Sequence, residues 1–254
     1  LAQKTGGQLE EDPALLEELT NLVEQPTALL GSFNERYLQN LPPEVLIAVM
    51  KKHQRYFPVL DANGNLSRHF IIVRNGDEKS ADVVVDGNLQ VILARFADAE
   101  FFIKADREKA LEDFVPELAQ LTFQKELGSM LQKTTRIEKL TQQLAKALAL
   151  DPKQQETAAR VAKLCKADLA TDMVVEMTAL QGIMGRYYAR LSGEPEAVAD
   201  GIFEHYLPRS ADDMLPTQLP ATVVGIADRL DSIIGLFAVG LAPTANKDPF
   251  ALRR

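Results

Sequence analysis

In the stretch Ile137-Glu138-Lys139-Leu140-Thr141-Gln142-Gln143-Leu144-Ala145-Lys146-Ala147-Leu148-Ala149-Leu150-Asp151-Pro152, the residues Ile137, Leu140, Leu144 and Leu148 recur at helical spacing and line one face of an α-helix. Asp151-Pro152 then starts the next helix, because proline fits the first helical position, where its missing N–H costs nothing. Toward the C-terminus the same periodicity predicts further helices over 156–168, 182–191, 195–206 and 221–239. Toward the N-terminus it covers Leu89, Ile92, Leu93, Phe96 and Ile103 and continues over 108–114 until Pro116 interrupts it.

Before residue 88 the pattern is mixed. Asp12-Pro13 opens a helix over 12–24 carried by Leu15, Leu16, Leu19, Leu22 and Val23. Pro42-Pro43-Glu44 opens another, which leads through Val45, Leu46 and Val49 into a basic, aromatic segment. Two apolar runs, 56–60 and 69–73, flank Asp61-Ala62-Asn63-Gly64-Asn65, whose Asn-Gly pair suits a turn with positive φ, so a β-hairpin is expected. The expected fold class is α+β, with strands confined to a first domain over 1–120 and an all-α second domain over 121–254. The boundary, placed between Leu118 and Phe123, rests on the change of periodicity alone.

With 254 residues, 46% apolar and 25% charged, the chain has material for two ordinary cores. No stretch approaches the roughly 18 apolar residues of a membrane span, so a cytoplasmic protein is expected. The single cysteine, Cys165, has no second cysteine for a disulfide or a thiolate metal site and is expected to be a buried structural thiol. A formal charge of −8 argues against a protein that coats nucleic acid through general basicity, so any RNA contact must be local. The chain starts at Leu1 and stops at Arg253-Arg254, and the natural polypeptide is expected to be longer.

In the helical half, polar residues sit among apolar ones that should face a core: Asp168 after Leu164-Cys165-Lys166-Ala167, His205 in Ile202-Phe203-Glu204-His205-Tyr206, and Asp228 in Ala227-Asp228-Arg229-Leu230-Asp231. A carboxylate there is costly unless it is paired, hydrogen-bonded or metal-bound. The order resembles the HD superfamily of helical metal-dependent phosphohydrolases, in which an early His, a His-Asp pair and a late Asp bind metal. The match is incomplete, since Ala167 stands where the His of the pair belongs and no His occurs between His69 and His205. A degenerate, catalytically silent HD fold with no metal is therefore expected. The rival is an active phosphohydrolase using Asp168, His205 and Asp228. The bland reading gives His205 a carbonyl partner and pairs Asp228 with Arg229, Lys166 or Lys163.

Longer strings carry a more specific resemblance. Met50-Lys51-Lys52-His53-Gln54-Arg55-Tyr56-Phe57-Pro58-Val59, Arg95-Phe96-Ala97-Asp98-Ala99-Glu100-Phe101-Phe102, Gln181-Gly182-Ile183-Met184-Gly185 and Lys247-Asp248-Pro249-Phe250-Ala251-Leu252-Arg253-Arg254 resemble, in order, segments of the bacterial and plastid-type glycyl-tRNA synthetase β-subunit family. The resemblance implies that the first domain is editing-like, as in the β chain of phenylalanyl-tRNA synthetase, and that the second is the family's HD domain. It also implies an α subunit as partner, in an assembly of two α and two β chains, with tRNA(Gly) as substrate and with ATP and magnesium used in the α subunit. No cofactor is expected in this chain. Agreeing with that division, the chain has no Walker-type phosphate loop and no G-x-S-x-G elbow. An editing hydrolase in the first domain is a further rival, but no nucleophile–base pair with a recognisable spacing is present there.

Two clusters are candidate RNA contacts. Lys51, Lys52, His53 and Arg55 place positive charge beside Tyr56 and Phe57, a mix suited to phosphate contact with base stacking. Arg186, Tyr187, Tyr188 and Arg190 form a weaker second cluster. The bland reading of the first is a solvated helix end whose aromatics enter the core.

Overall fold

A computed structural model describes residues 1–211, 213–244, 246–250 and 252–253, so Ala251 and Arg254 of the last family-type string lie outside the described residues. The chain divides into two compact units, Leu1–Lys104 and Ala105–Arg254. The first is built on an antiparallel sheet in the order β1-β3-β4-β2, with β1 at Gln8–Leu9, β2 at Pro26–Ser32, β3 at Phe57–Leu60 and β4 at Leu66–Asn75. Its helices are α1 (Pro13–Leu22), α2 (Arg36–Asn40), α3 (Pro43–Ala48) and α4 (Ala81–Asp106), the last of which runs on past Lys104.

Local chemistry explains most of these elements. The Asp12 carboxylate accepts the Leu15 N–H at 3.0 Å and caps α1, with Pro13 in its first turn and Leu15 and Leu19 buried. The hairpin forms where expected, pairing Phe57 with Ile71 and Leu60 with Leu66. Its turn is held by the Asp61 carboxylate, which accepts the N–H groups of Asn63 at 2.8 Å and Asn65 at 2.9 Å, while Gly64 takes φ 83°.

Strand β2 was not anticipated. It pairs along its whole length with β4 and begins at Pro26, a residue tolerated at the start of an edge strand because no ladder N–H is needed there. Gly31 in β2 lies under the Phe70 ring, and a Cβ at that position would stand 2.4–2.9 Å from ring carbons. Only glycine lets the ring settle against the sheet, where Tyr56 stacks on Phe70 at 5.2 Å and Phe33 meets Phe96 edge-on at 5.1 Å. Helix α4 begins at Ala81 and takes in Val83, Val84 and Val85. That β-branched run disfavours helix locally, and burial of Ile92, Phe96, Ala99 and Ile103 on the same helix overrides it.

In the second unit, two short strands, β5 (Thr122–Gln124) and β6 (Gly128–Ser129), pair where strands were expected to have ended. The helices are α5 (Met130–Ala147), α6 (Pro152–Leu164), α7 (Asp172–Glu176), α8 (Ile183–Leu191), α9 (Glu196–Glu204) and α10 (Leu219–Ala238). Helix α5 packs on α6 and α10, α6 also on α9 and α10, and α8 on α9. Reciprocal capping boxes, Ser129 with Gln132 and Asp151 with Gln154, start α5 and α6.

The helix expected over 108–114 is instead a pair of 3-10 turns, Leu111–Phe114 and Pro116–Ala119, which bury Leu111, Phe114 and Leu118. These turns belong to the helical unit, so the units divide at Lys104/Ala105 and not near residue 120. Helical periodicity marks where regular structure resumes, and burial partners decide which core a turn joins. Cys165 is fully buried and donates to the Ala162 carbonyl at 3.3 Å, and burial pushes its thiol up to about 12. Among the described residues, no helix is long and apolar enough to cross a membrane.

Candidate functional site

The polar centre of the helical unit is an ion-pair knot. From α5, Lys133 extends its ammonium to Asp228 Oδ1 at 2.8 Å, Asp231 Oδ2 at 3.1 Å and Ser232 Oγ at 2.7 Å on α10. Just after α6, Lys166 reaches Asp228 Oδ2 at 2.7 Å and His205 Nε2 at 2.9 Å. Both lysine side chains are nearly inaccessible, at 4% and 5%. Arg136 completes the set by donating to Asp231 Oδ1 at 2.5 Å.

The protonation states follow from the partners. Burial raises the Asp228 carboxyl, but Lys166 and Lys133 outweigh it and hold the group well below the usual carboxylate range. Burial first, then Lys166, push His205 well below the ordinary imidazole value, so the ring is neutral. A neutral ring donates from Nδ1 to the Ile202 carbonyl at 2.6 Å and accepts the Lys166 proton at Nε2. Lys166 also lies 3.9 Å from the Tyr206 ring centroid.

Asp168 stands apart from this knot. It lies on the 3-10 turn Ala167–Ala170, where α6 has already ended at Leu164 and not at 168 as its pattern suggested. Its Oδ2 accepts the N–H groups of Gly182 at 2.6 Å and Gly185 at 3.0 Å, while Oδ1 has no hydrogen-bond partner. Burial pushes this carboxyl up to about 6, against the opposing pull of the Gly182 N–H and Lys166.

These residues do not fit a divalent metal. Both Asp228 oxygens and the free nitrogen of His205 face lysine ammoniums, which supply the charge a cation would otherwise bring. Among the described residues, no three His, Cys, Asp or Glu side chains converge in a way that could hold a metal ion. The active phosphohydrolase reading is therefore not supported. Of the partners anticipated for Asp228, Lys166 is correct. Arg229 instead donates to the carbonyls of Gly225, His205, Tyr206, Leu207 and Pro208, and Lys163 pairs with Glu112. Lys133 was missed, although a lysine one turn before Ile137 on the apolar stripe of α5 was a legible signal.

The basic clusters are mostly occupied. Lys51 bridges Glu10 at 3.2 Å and Asp12 at 2.9 Å, and Arg55 meets Glu18 at 2.5 Å. Tyr56 is buried, with its hydroxyl 2.5 Å from Asn88 Oδ1, and so cannot stack on a base. Lys52 and His53 are exposed. In the second cluster, Arg186 lies over the Phe203 ring and 3.9 Å from Asp200, Arg190 pairs with Glu196 and Asp200, and Tyr188 is buried with its hydroxyl donating to Asp106 at 2.6 Å.

Comparison with known proteins gives a uniform result. A family described as "Glycyl-tRNA synthetase beta subunit" matches residues 1–254. A "Glycine--tRNA ligase beta subunit" of Synechocystis sp. is 52% identical over 240 residues, covering 94% of this chain and 33% of that protein. Its counterpart in Moorella thermoacetica is 50% identical over 254 residues, covering 100% of this chain and 36% of that protein. That of Myxococcus xanthus is 50% identical over 253 residues, with 100% and 36% covered. The chain thus spans about a third of the length of these curated relatives.

Proposed function

Because this chain belongs to the glycyl-tRNA synthetase β-subunit family, we propose that it works as a noncatalytic scaffold within a glycine–tRNA ligase. It helps hold tRNA(Gly) and a catalytic α subunit in register for ATP-dependent glycylation, in a cytoplasmic assembly of two α and two β chains, with ATP and magnesium bound by α. In this reading the first unit is editing-like and the second is a degenerate HD domain. The observation that carries it is the knot: Lys133 and Lys166 saturate Asp228, and His205 spends its free nitrogen on Lys166, so neither Asp228 nor His205 is left as a metal ligand or a base. What a closed, buried ion-pair network supplies is rigid geometry, which suits a part whose work is to position reacting ends that meet elsewhere.

Lys52 and His53 are the exposed remainder of the first basic cluster and the proposed RNA contact. The full β polypeptide carrying Lys52→Ala and His53→Ala should still assemble with α. Its Kd for tRNA should rise severalfold and its salt slope should fall by about 1. An unchanged Kd and slope return the pair to solvated surface. The β polypeptide alone should give no glycine-dependent ATP–pyrophosphate exchange, and detecting such exchange removes the scaffold reading.

A further inference from the structure

Helix α10 is apolar on two faces. One carries Val223, Val224, Ala227 and Leu236 into the core of the helical unit. The other carries Ile226, Leu230, Ile233 and Phe237 at the three- and four-residue spacing of a continuous stripe, with Ile234 beside it. Four of these side chains stand 39–62% exposed. A helix that is hydrophobic all round is ordinarily covered on every side, and contiguous large apolar groups of this kind mark a contact surface.

The charges near the stripe indicate what covers it. The ionised residues of α10 are Asp228, Arg229 and Asp231. The two carboxylates are taken up by Lys133, Lys166 and Arg136, and the guanidinium by backbone carbonyls. The helix therefore offers its partner no unengaged charge for electrostatic steering or for discrimination against wrong partners. A surface depleted of charge and built of large aliphatic and aromatic groups has the composition of a permanent, core-like contact. The chain after α10 already approaches this region, since Phe250 and Leu252 line a cavity of about 270 Å³ together with Ile233 and Tyr206. The relatives are about three times as long as the matched region, so their polypeptide holds ample further sequence to supply a cover.

We infer that the Ile226–Phe237 stripe of α10 is the docking face for an amphipathic helix from the other two thirds of the same β polypeptide, one that presents aliphatic side chains at matching spacing and no charge at its centre. This rests on the reading of the chain as part of a β subunit. It predicts a permanent intramolecular contact, distinct from the surfaces that meet tRNA or the α chain.

Thiol labelling of the full-length β polypeptide carrying Ile233→Cys tests the inference without relying on tRNA charging, which is assayed separately on the α–β mixture. Cys165 stays silent in the folded state because it is buried with its thiol pushed up to about 12. The thiol introduced at position 233 should label at least about tenfold more slowly than in urea-unfolded protein, at every protein concentration and without α present. Fast labelling under all conditions overturns the inference. Protection that appears only at high concentration assigns the stripe to a second copy, and protection that requires α assigns it to the partner subunit. Either result also overturns it. Failure of the labelling prediction with glycylation intact sinks only the docking face, whereas loss of the scaffold reading shows in the exchange and charging assays.

Discussion

Replacing Lys133 by methionine should lower the stability of the helical unit by about 3–5 kcal/mol, the usual cost of removing one partner from a buried ion pair. Lys133 is 4% exposed and serves two carboxylates, Asp231 at 4% and the somewhat more open Asp228 at 16%. Its loss leaves Asp228 with Lys166 alone and Asp231 with Arg136 alone. Methionine fills most of the volume, so the effect isolates charge from cavity formation. Because Asp228 keeps a carboxyl value far below that of the unfolded chain, its share of the stability is present at neutral pH. That share is lost only as pH falls below the ordinary carboxylate value toward the depressed folded one.

Urea denaturation of the β polypeptide, followed through the transition of the helical unit, measures the change. The double variant Lys133→Met, Asp228→Asn should regain part of the loss, since the uncompensated carboxylate is gone. The exposed pair Lys109–Glu117 provides the contrast, because solvent screens it, and Lys109→Ala should leave the urea midpoint nearly unchanged. A Lys133→Met loss as small as that of Lys109→Ala would refute the account of a knot that holds the unit together.

Asp168 should show the opposite dependence on pH. Its folded carboxyl is raised to about 6 because burial outweighs the N–H groups of Gly182 and Gly185 and the charge of Lys166. A raised acid binds more protons folded than unfolded between about pH 4 and pH 6, so its contribution to stability falls as pH rises across that window and is flat above it. The span is at most about 3 kcal/mol. Asp168→Asn keeps an acceptor for the two N–H groups, gives the partnerless oxygen site a donor, and removes the titration. The difference in stability between the parent and this variant should therefore slope from pH 4 to pH 6 and level off at neutral pH, with the asparagine protein equal or more stable there. Asp168→Ala is the harsher change: it leaves two buried N–H donors without an acceptor, at about 1–3 kcal/mol each. Parallel pH profiles for parent and Asp168→Asn would show that this carboxyl does not titrate in the predicted window.

Fragments whose structure depends on neighbours along the chain were legible without coordinates. Asp12-Pro13 and Asp151-Pro152 start helices because their effects act within one turn, and Asp61 to Asn65 form a turn because a side chain, a glycine and two N–H groups meet over a few residues. Family membership was legible in the same way, since ordered strings of residues survive in the one-dimensional record.

What only the tertiary structure decided involves partners far apart. Pro26–Ser32 became a strand because β4 lies beside it, and the valines at 83–85 became helix because α4 buries its other face. Tyr56, whose neighbours suggested a surface for RNA, entered the aromatic core. Lys133 closes the candidate metal site from a position 95 residues before Asp228. Periodicity reports which face of an element is apolar, but the identity of the group opposite a buried charge is set by how helices cross, and that crossing turned a possible ligand set into a salt-bridged support.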